Sequence, residues 1–207
     1  MAKEKYLKRK AKKYLMVFEL IEPTTYTILK TYWCKAAYKI MHLRYDSLAH
    51  MLNMTSIHSG MHVTVVENTK GVILGTVLDR LRTRGVVLNL HTSQEPGIRA
   101  LDIWNFKQEE RDILYHYPIV KITEKLRLLS EGNPEAKNVK VNTATMPSNE
   151  KEKELKLQRV DNAVSREAIA LAKVDIGISD ALLICAHDEP SRVMKAVYPL
   201  LRAGCPF

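Results

Sequence analysis

The residues best placed to do chemistry stand in one short turn. Glu67, Asn68, Thr69, Lys70 and Gly71 lie between two apolar stretches. The first carries Val63, Val65 and Val66, and the second carries Val72, Ile73, Leu74, Val77, Leu78 and Leu81. A strand that turns tightly into a helix is the nucleotide-binding corner of a doubly wound α/β sheet. That corner works when glycines let the backbone approach a cofactor and leave helix N-terminal amides free to hold it. Here Gly71 lies in the turn and Gly75 one helical turn later, with Asn68, Thr69 and Lys70 filling the turn itself. The fold signal is present and the cofactor signal is poor. The run GVILGT is not a phosphate loop, because its second glycine is not followed by Lys and then Ser or Thr.

Basic residues form the second candidate set. Ala2–Tyr14 carries Lys3, Lys5, Lys8, Arg9, Lys10, Lys12 and Lys13, with Tyr6 and Tyr14 among them. Such a segment is a solvated arm, a nuclear import signal, or a phosphate-tracking element whose tyrosines stack on bases. For phosphate contacts the arm offers Lys8, Arg9, Lys10, Lys12 and Lys13. Arg44, beside Tyr45 and Asp46, and the turn Arg82-Thr83-Arg84 add Arg44, Arg82 and Arg84. The formal net charge of +9 over 207 residues suits a polyanionic partner.

Other sets are weaker. His42, His50, His58 and His62 lie close in sequence, but Gly60 interrupts any helix that would align the last two, and no Cys, Asp or Glu accompanies them at ligand spacing. No metal site is assigned. His187-Asp188-Glu189 follows a buried strand, where α/β enzymes place functional groups. Asp188 is read there as a cap for the helix opening near Pro190. No nucleophile–base set can be placed, so no catalytic residue is assigned. Cys34, Cys185 and Cys205 are scattered, and no apolar run approaches the ~20 residues that span a bilayer. The charged N-terminus is unlike a secretory signal.

The elements that must position these residues follow from periodicity. Leu15–Leu20 reads as a short strand ended by Glu22-Pro23. Thr24 or Thr25 is placed to cap a helix over Tyr26–Ala37, with Ile28, Leu29, Tyr32 and Trp33 at apolar positions. Lys39–Met54 reads as one helix with Ile40, Leu43, Leu48, Met51 and Leu52 inward. After the central corner, Gly85–His91 is a second strand whose end, Asn89-Leu90-His91, lacks the acid that holds ribose hydroxyls in cofactor-binding sheets. Ala100–Phe106 is a short helix or loop. Tyr115–Ile122 is a third strand that Pro118 demotes toward an edge. Composition then shifts to Lys, Glu and Asn, with Ser130–Asn149 a linker or insertion and Glu150–Lys173 a charged helix. Asp180–Ala186 is a buried strand, Glu189–Leu201 a helix, and Cys205-Pro206-Phe207 the opening of another strand. Because the sheet stops half-built there, the sequence is expected to be a portion of a longer chain.

The strings KYLKRKAKKY, KIMHLRYDSLAHML, VVENTKGVILGTVLDRL and DALLICAHDEPSRVMKAVYPLL, in that order and spacing, resemble the non-catalytic subunit of the eukaryotic tRNA (adenine-N1)-methyltransferase. Ser93–Arg166 matches that family only in character. The resemblance implies a Rossmann-like, methyltransferase-type α/β sheet, incomplete at its C-terminal end and preceded by a short basic, partly helical segment. The expected division is a basic arm and helical connector over 1–58, then a partial methyltransferase-like domain over 59–207 with a charged insertion at about 124–172. The resemblance also implies a tRNA partner and a catalytic sister subunit in a two-plus-two heterotetramer in the nucleus. S-adenosylmethionine would be bound by that sister and not by this chain, and N1-methyladenosine in the tRNA T-loop would be the product. No membrane association is implied.

In the catalytic sisters the central turn has the form E-x-G-x-G-x-G. Glu67 and Gly71 match it, while Thr69 and Ile73 replace glycines. The sister's ribose-binding acid falls near Asn89-Leu90, and its catalytic aspartate near Cys185. The degenerate loop Glu67–Gly71 therefore reads as a relic. Two other classes stay open at this point. One is an active S-adenosylmethionine-dependent methyltransferase with an unusual loop, and the other is a basic nucleic-acid-binding scaffold whose arm is only an import signal.

Overall fold

His62–Glu67 forms β1, an almost continuously buried strand. Such a run suits the centre of a parallel sheet covered on both faces. The computed structural model describes residues 2–15, 18–93, 95–130 and 177–204. Besides β1, its strands are β2 (Val86–His91), β3 (Leu114–Pro118) and β4 (Ala181–Cys185). They make one parallel sheet in the order β3-β2-β1-β4. The chain winds outward from β1 through β2 to β3, then returns to lay β4 on the other side of β1. The reversal puts the topological switch point between β1 and β4, with Glu67 opposite Cys185 at its C-terminal end.

Alternation along β1 divides the core. Val63 and Val65 face one side, packed with α2 (Thr25–Ala36), α3 (Tyr45–Met54), α4 (Val72–Leu81) and α5 (Leu101–Trp104). Val66 faces the other with Leu88, Leu90 and Tyr117. That second face is covered by α7 (Ile119–Ser130) and α8 (Pro190–Val197) through Ile122, Leu126, Val193 and Val197. A short α6 (Gln108–Arg111) leads into β3. The Rossmann-like parallel sheet expected from the sequence is thus present. Ile28, Leu29, Ile40, Leu43, Leu48 and Leu52 share one core with β1 and α4, so α2, α3 and the 3-10 turn between them are built onto the sheet.

The strand and helix forecasts hold for β1, α4, β2, β4 and α8, and Thr24 caps α2 through a reciprocal capping box with Thr27. Three forecasts need correction. Phe18–Leu20 carries no strand; Phe18 is 84% and Leu20 100% exposed, so an apolar run without a neighbouring strand has nothing to pair with. Lys39–Met54 is not one helix. A 3-10 turn over Ala37–Ile40 ends in left-handed Met41 (φ 55°) and His42 (φ 53°), and α3 starts only at Tyr45. Tyr115–Ile122 is split, because β3 ends at Pro118 on the sheet edge and Ile119 opens α7. The helix forecast over Glu189–Leu201 is α8 followed by a 3-10 turn over Tyr198–Leu200. The linker over Ser130–Asn149, the charged helix over Glu150–Lys173 and the strand opening at Cys205 lie outside the described residues.

Ahead of these layers, Ala2–Tyr14 forms α1, exposed at every residue from Lys3 to Tyr14. Its final turn continues to Leu15, whose amide reaches the Ala11 carbonyl at 2.8 Å.

Gly75 gives this packing a sharp test. A Cβ there would lie 2.5 Å from the Trp104 ring, which is itself stacked on Phe106. Helix propensity alone favours Gly75→Ala by about 1 kcal/mol. Overpacking opposes it by about 1–3 kcal/mol. Gly75→Ala should therefore lower the Tm, and adding Trp104→Leu should recover part of the loss; a raised Tm for the single variant would contradict the packing.

Candidate functional site

The corner at the end of β1 is closed by the protein's own atoms. Glu67 Oε2 accepts hydrogen bonds from the Thr69 hydroxyl and, at 3.2 Å, from the Ile73 backbone N–H. The Ile73 amide belongs to the first turn of α4, where a bound anion would otherwise seek its donors. Thr69 is fully buried. Asn68 ties the turn to β4: its N–H donates to the Cys185 carbonyl at 2.9 Å, and its Oδ1 accepts from the His187 N–H at 3.1 Å. Lys70 and Gly71 both take positive φ, 63° and 92°. The Lys70 carbonyl accepts from the Ala100 N–H at 2.9 Å, which draws the loop after β2 against the turn. A Cβ on Gly71 would meet the Ile98 backbone at 3.0 Å. The side of Gly71 on which a Cβ would stand is thus covered by the Ile98 backbone.

Electrostatics follow from this closure. Burial raises the Glu67 carboxyl to about 7, against the opposing pull of the Thr69 and Ile73 hydrogen bonds. Its Oε1 is buried without a hydrogen-bond partner among the described residues. Across the switch point, burial and then the charge of Glu67 push the Cys185 thiol up to about 11, which keeps it protonated and poorly nucleophilic. At the end of β2, Asn89 is buried and its Nδ2 lies 2.9 Å from His116 Nδ1, while Leu90 packs into the second core. Neither position offers a carboxylate. His187, Asp188 and Glu189 are exposed. The cap expected from Asp188 is not formed. Glu189 stands at the N-cap of α8 without a side-chain cap bond, and its carboxylate accepts from the Ser191 hydroxyl instead. Among the described residues, no three His, Cys, Asp or Glu side chains gather as a metal ion requires.

The basic candidates fall in three places. Lys8, Arg9, Lys12 and Lys13, with Lys5, share one face of α1 by their three- and four-residue spacing. Lys10 lies over the Tyr6 ring at 5.4 Å and Lys13 over Tyr14 at 5.3 Å. Arg82 and Arg84 sit together in the turn from α4 to β2, at the N-terminal edge of the strands and away from the closed corner. Arg82 is engaged by Asp79 at 3.2 Å and Glu110 at 3.8 Å. Arg44 precedes α3 and forms a fork with Asp46, Nε to Oδ1 at 3.0 Å and Nη2 to Oδ2 at 2.7 Å. Sequence reasoning missed Ile98, whose role depends on a loop contact. It also placed Trp33 on an apolar helix face, whereas Trp33 is 41% exposed beside Tyr26 and Tyr45. The seven-residue spacing of Tyr26 and Trp33 was the available sign of a shared face.

Comparison with known proteins bears directly on these features. The model of the Gcd10p family matches residues 1–157, which include α1, the closed corner and the whole of β1 to α7. The chain belongs to the Gcd10p family. Among the relatives of this Gcd10p-family chain, the tRNA (adenine(58)-N(1))-methyltransferase non-catalytic subunit of Mus musculus is 31% identical over 125 residues, 60% of this chain and 25% of the relative. The protein of the same name from Dictyostelium discoideum is 29% identical over 113 residues, 55% of this chain and 22% of the relative. That from Schizosaccharomyces pombe is 25% identical over 217 aligned residues, 100% of this chain and 45% of the relative. The chain spans less than half the length of each of these relatives.

The closed corner predicts a pH dependence. The folded chain holds the Glu67 proton up to about 7, against an ordinary value of 4.5, so the unfolded chain releases it first as pH rises. Stability should fall by an amount on the order of 3 kcal/mol between those values. Glu67→Gln, which still accepts from Ile73, should flatten this slope and raise the Tm above pH 7. Denaturant melts of both proteins across that range are the check; identical pH profiles would contradict the buried carboxyl.

Proposed function

We propose that this chain acts as the non-catalytic, tRNA-binding part of a tRNA (adenine-N1)-methyltransferase. A catalytic sister subunit of similar fold would bind S-adenosylmethionine and carry out the transfer, in a two-plus-two heterotetramer working in the nucleus. The observation that carries this reading is the closed corner. Glu67 occupies the helix amide, Thr69 fills the turn, and Ile98 covers Gly71. Asn89 and Leu90 stand where a ribose-binding acid is needed, and Cys185 where the catalytic aspartate is expected. The names of the related non-catalytic subunits support the same role.

The chain then contributes shape and charge. The face of α1 that carries Lys8, Arg9, Lys12 and Lys13 is exposed and free of buried apolar contacts, as a segment that follows a phosphate backbone must be. Arg84 is exposed in the turn from α4 to β2 and adds a separate basic position. Arg44 and Arg82 are already paired with acids, so their share in phosphate binding is smaller. Nuclear residence accords with the lysine-rich arm, which has the composition of an import signal.

Reconstitution tests the reading. The chain alone should transfer no methyl group to tRNA, and adding it to the catalytic sister should raise transfer well above that of the sister alone. Replacing Lys8, Arg9, Lys12 and Lys13 by Gln should weaken tRNA binding by the complex. It should also reduce the slope of log affinity against log salt by about 2–4. An unchanged affinity and slope would remove the arm from tRNA contact, and methyl transfer by the chain alone would refute the non-catalytic assignment.

A further inference from the structure

A cleft of about 460 Å³ lies between α2 and the start of α3, lined by Tyr26, Leu29, Lys30, Trp33, Arg44, Tyr45 and Asp46. Its construction is specific. The Thr24–Thr27 capping box fixes the first turn of α2. The left-handed pair Met41-His42 then reverses the chain after the 3-10 turn, so that Tyr45 returns to meet Tyr26 edge-to-face, 5.2 Å apart at 85°. Trp33 is held edge-on by His42 at 6.2 Å. Leu29 is buried beneath them, yet Tyr26, Trp33 and Tyr45 remain 48%, 41% and 46% exposed. A chain that buries its other tryptophan, Trp104, leaves three aromatic rings open around one hollow.

The charges at the rim narrow the occupant. Arg44 and Asp46 neutralise each other in a bidentate fork. Among the described residues, Lys30 is left as the uncancelled charge of the rim, its ammonium 5.6 Å from the Tyr26 ring centroid. Aromatic faces beside a free cation suit a base and its phosphate. An apolar protein segment would favour aliphatic walls, and Leu29 is the one aliphatic residue of the lining. A base inside a duplex has both faces covered, so the ligand must be unpaired. The volume lies in the range of sites for compact organic ligands.

We propose that this cleft is a stacking site for an unpaired nucleotide of RNA. The base lies against Trp33, Tyr26 and Tyr45, and the phosphate rests on Lys30. The inference rests on the RNA-binding role proposed above and adds a second, single-strand-specific contact to the phosphate-tracking arm.

Titration of the chain with short oligoadenylate and with a blunt-ended RNA duplex of equal length tests it. The single strand should quench the fluorescence of Trp33, and Trp33→Phe should abolish the quench while keeping the affinity. The exposed substitutions Tyr26→Leu and Tyr45→Leu together should weaken oligoadenylate binding tenfold or more, whereas Tyr45→Phe alone should not. Duplex binding should be unchanged in all variants. Absence of quenching, or wild-type oligoadenylate affinity in the double Leu variant, would overturn the proposal. So would a double Leu variant that binds RNA normally but no longer co-purifies with the catalytic sister, since the cleft would then be a protein interface. Under any of these three failures the complex still binds tRNA, and the proposed function stands. If the unsubstituted complex binds no tRNA, the RNA-binding role itself falls.

Discussion

The carboxyl group of Glu67 faces two demands at once. It is buried at the end of the central strand, and it bonds the first turn of the helix that follows. A buried acid at this position costs stability once it ionises, and its raised pKa is the sign of that cost. The hydrogen bonds from Thr69 and Ile73 offset part of it and fix the angle at which α4 leaves β1. Because α4 carries eight buried residues, that angle sets the position of most of one core. The corner is therefore indispensable to the fold whatever else it does.

Under the proposed role, the same atoms keep a cofactor out of the corner. In a working cofactor corner the helix amides and the glycine faces stay open until a ligand arrives. Here a side chain satisfies one amide permanently, and the Pro96–Ala100 loop rests on Gly71 through Ile98. Under the proposed role, the sheet is kept as a rigid support and chemistry is left to the sister subunit. The working surfaces then lie elsewhere, on the exposed basic face of α1 and in the aromatic cleft beside α2. Both belong to the segments ahead of β1, and α2 and α3 are anchored to the sheet by Ile28, Leu29, Leu48 and Leu52.

Much of this was legible in the sequence. The valine-rich strand, the apolar run of α4 and the DALLICA strand each carry enough buried residues for periodicity and length to fix their type. The replaced glycines at Thr69 and Ile73 and the absent acids at Asn89 and Leu90 were visible as residue types. What escaped were features that depend on neighbours. Leu15–Leu20 has the composition of a strand, but among the described residues no strand lies beside Phe18–Leu20. The break at Met41-His42 leaves no mark in the pattern, because Ile40 and Leu43 are buried on either side of it. Pro118 signalled an edge, yet the following residues are apolar enough to serve a helix as well as a strand. Trp33 satisfies a helical apolar pattern while pointing into an open cleft. The contact of Ile98 with Gly71 joins residues on opposite sides of β2, and the Glu67 bond to Ile73 depends on a rotamer; neither is encoded as a local pattern.

Under the proposed role, the corner between β1 and α4 is closed to a cofactor. Isothermal titration with S-adenosylmethionine tests it most directly, run on the purified chain and on its complex with the catalytic sister. The account predicts no saturable heat for the chain alone and saturable binding for the complex. Micromolar binding to the chain alone, abolished by a bulky residue at Gly71, would contradict it.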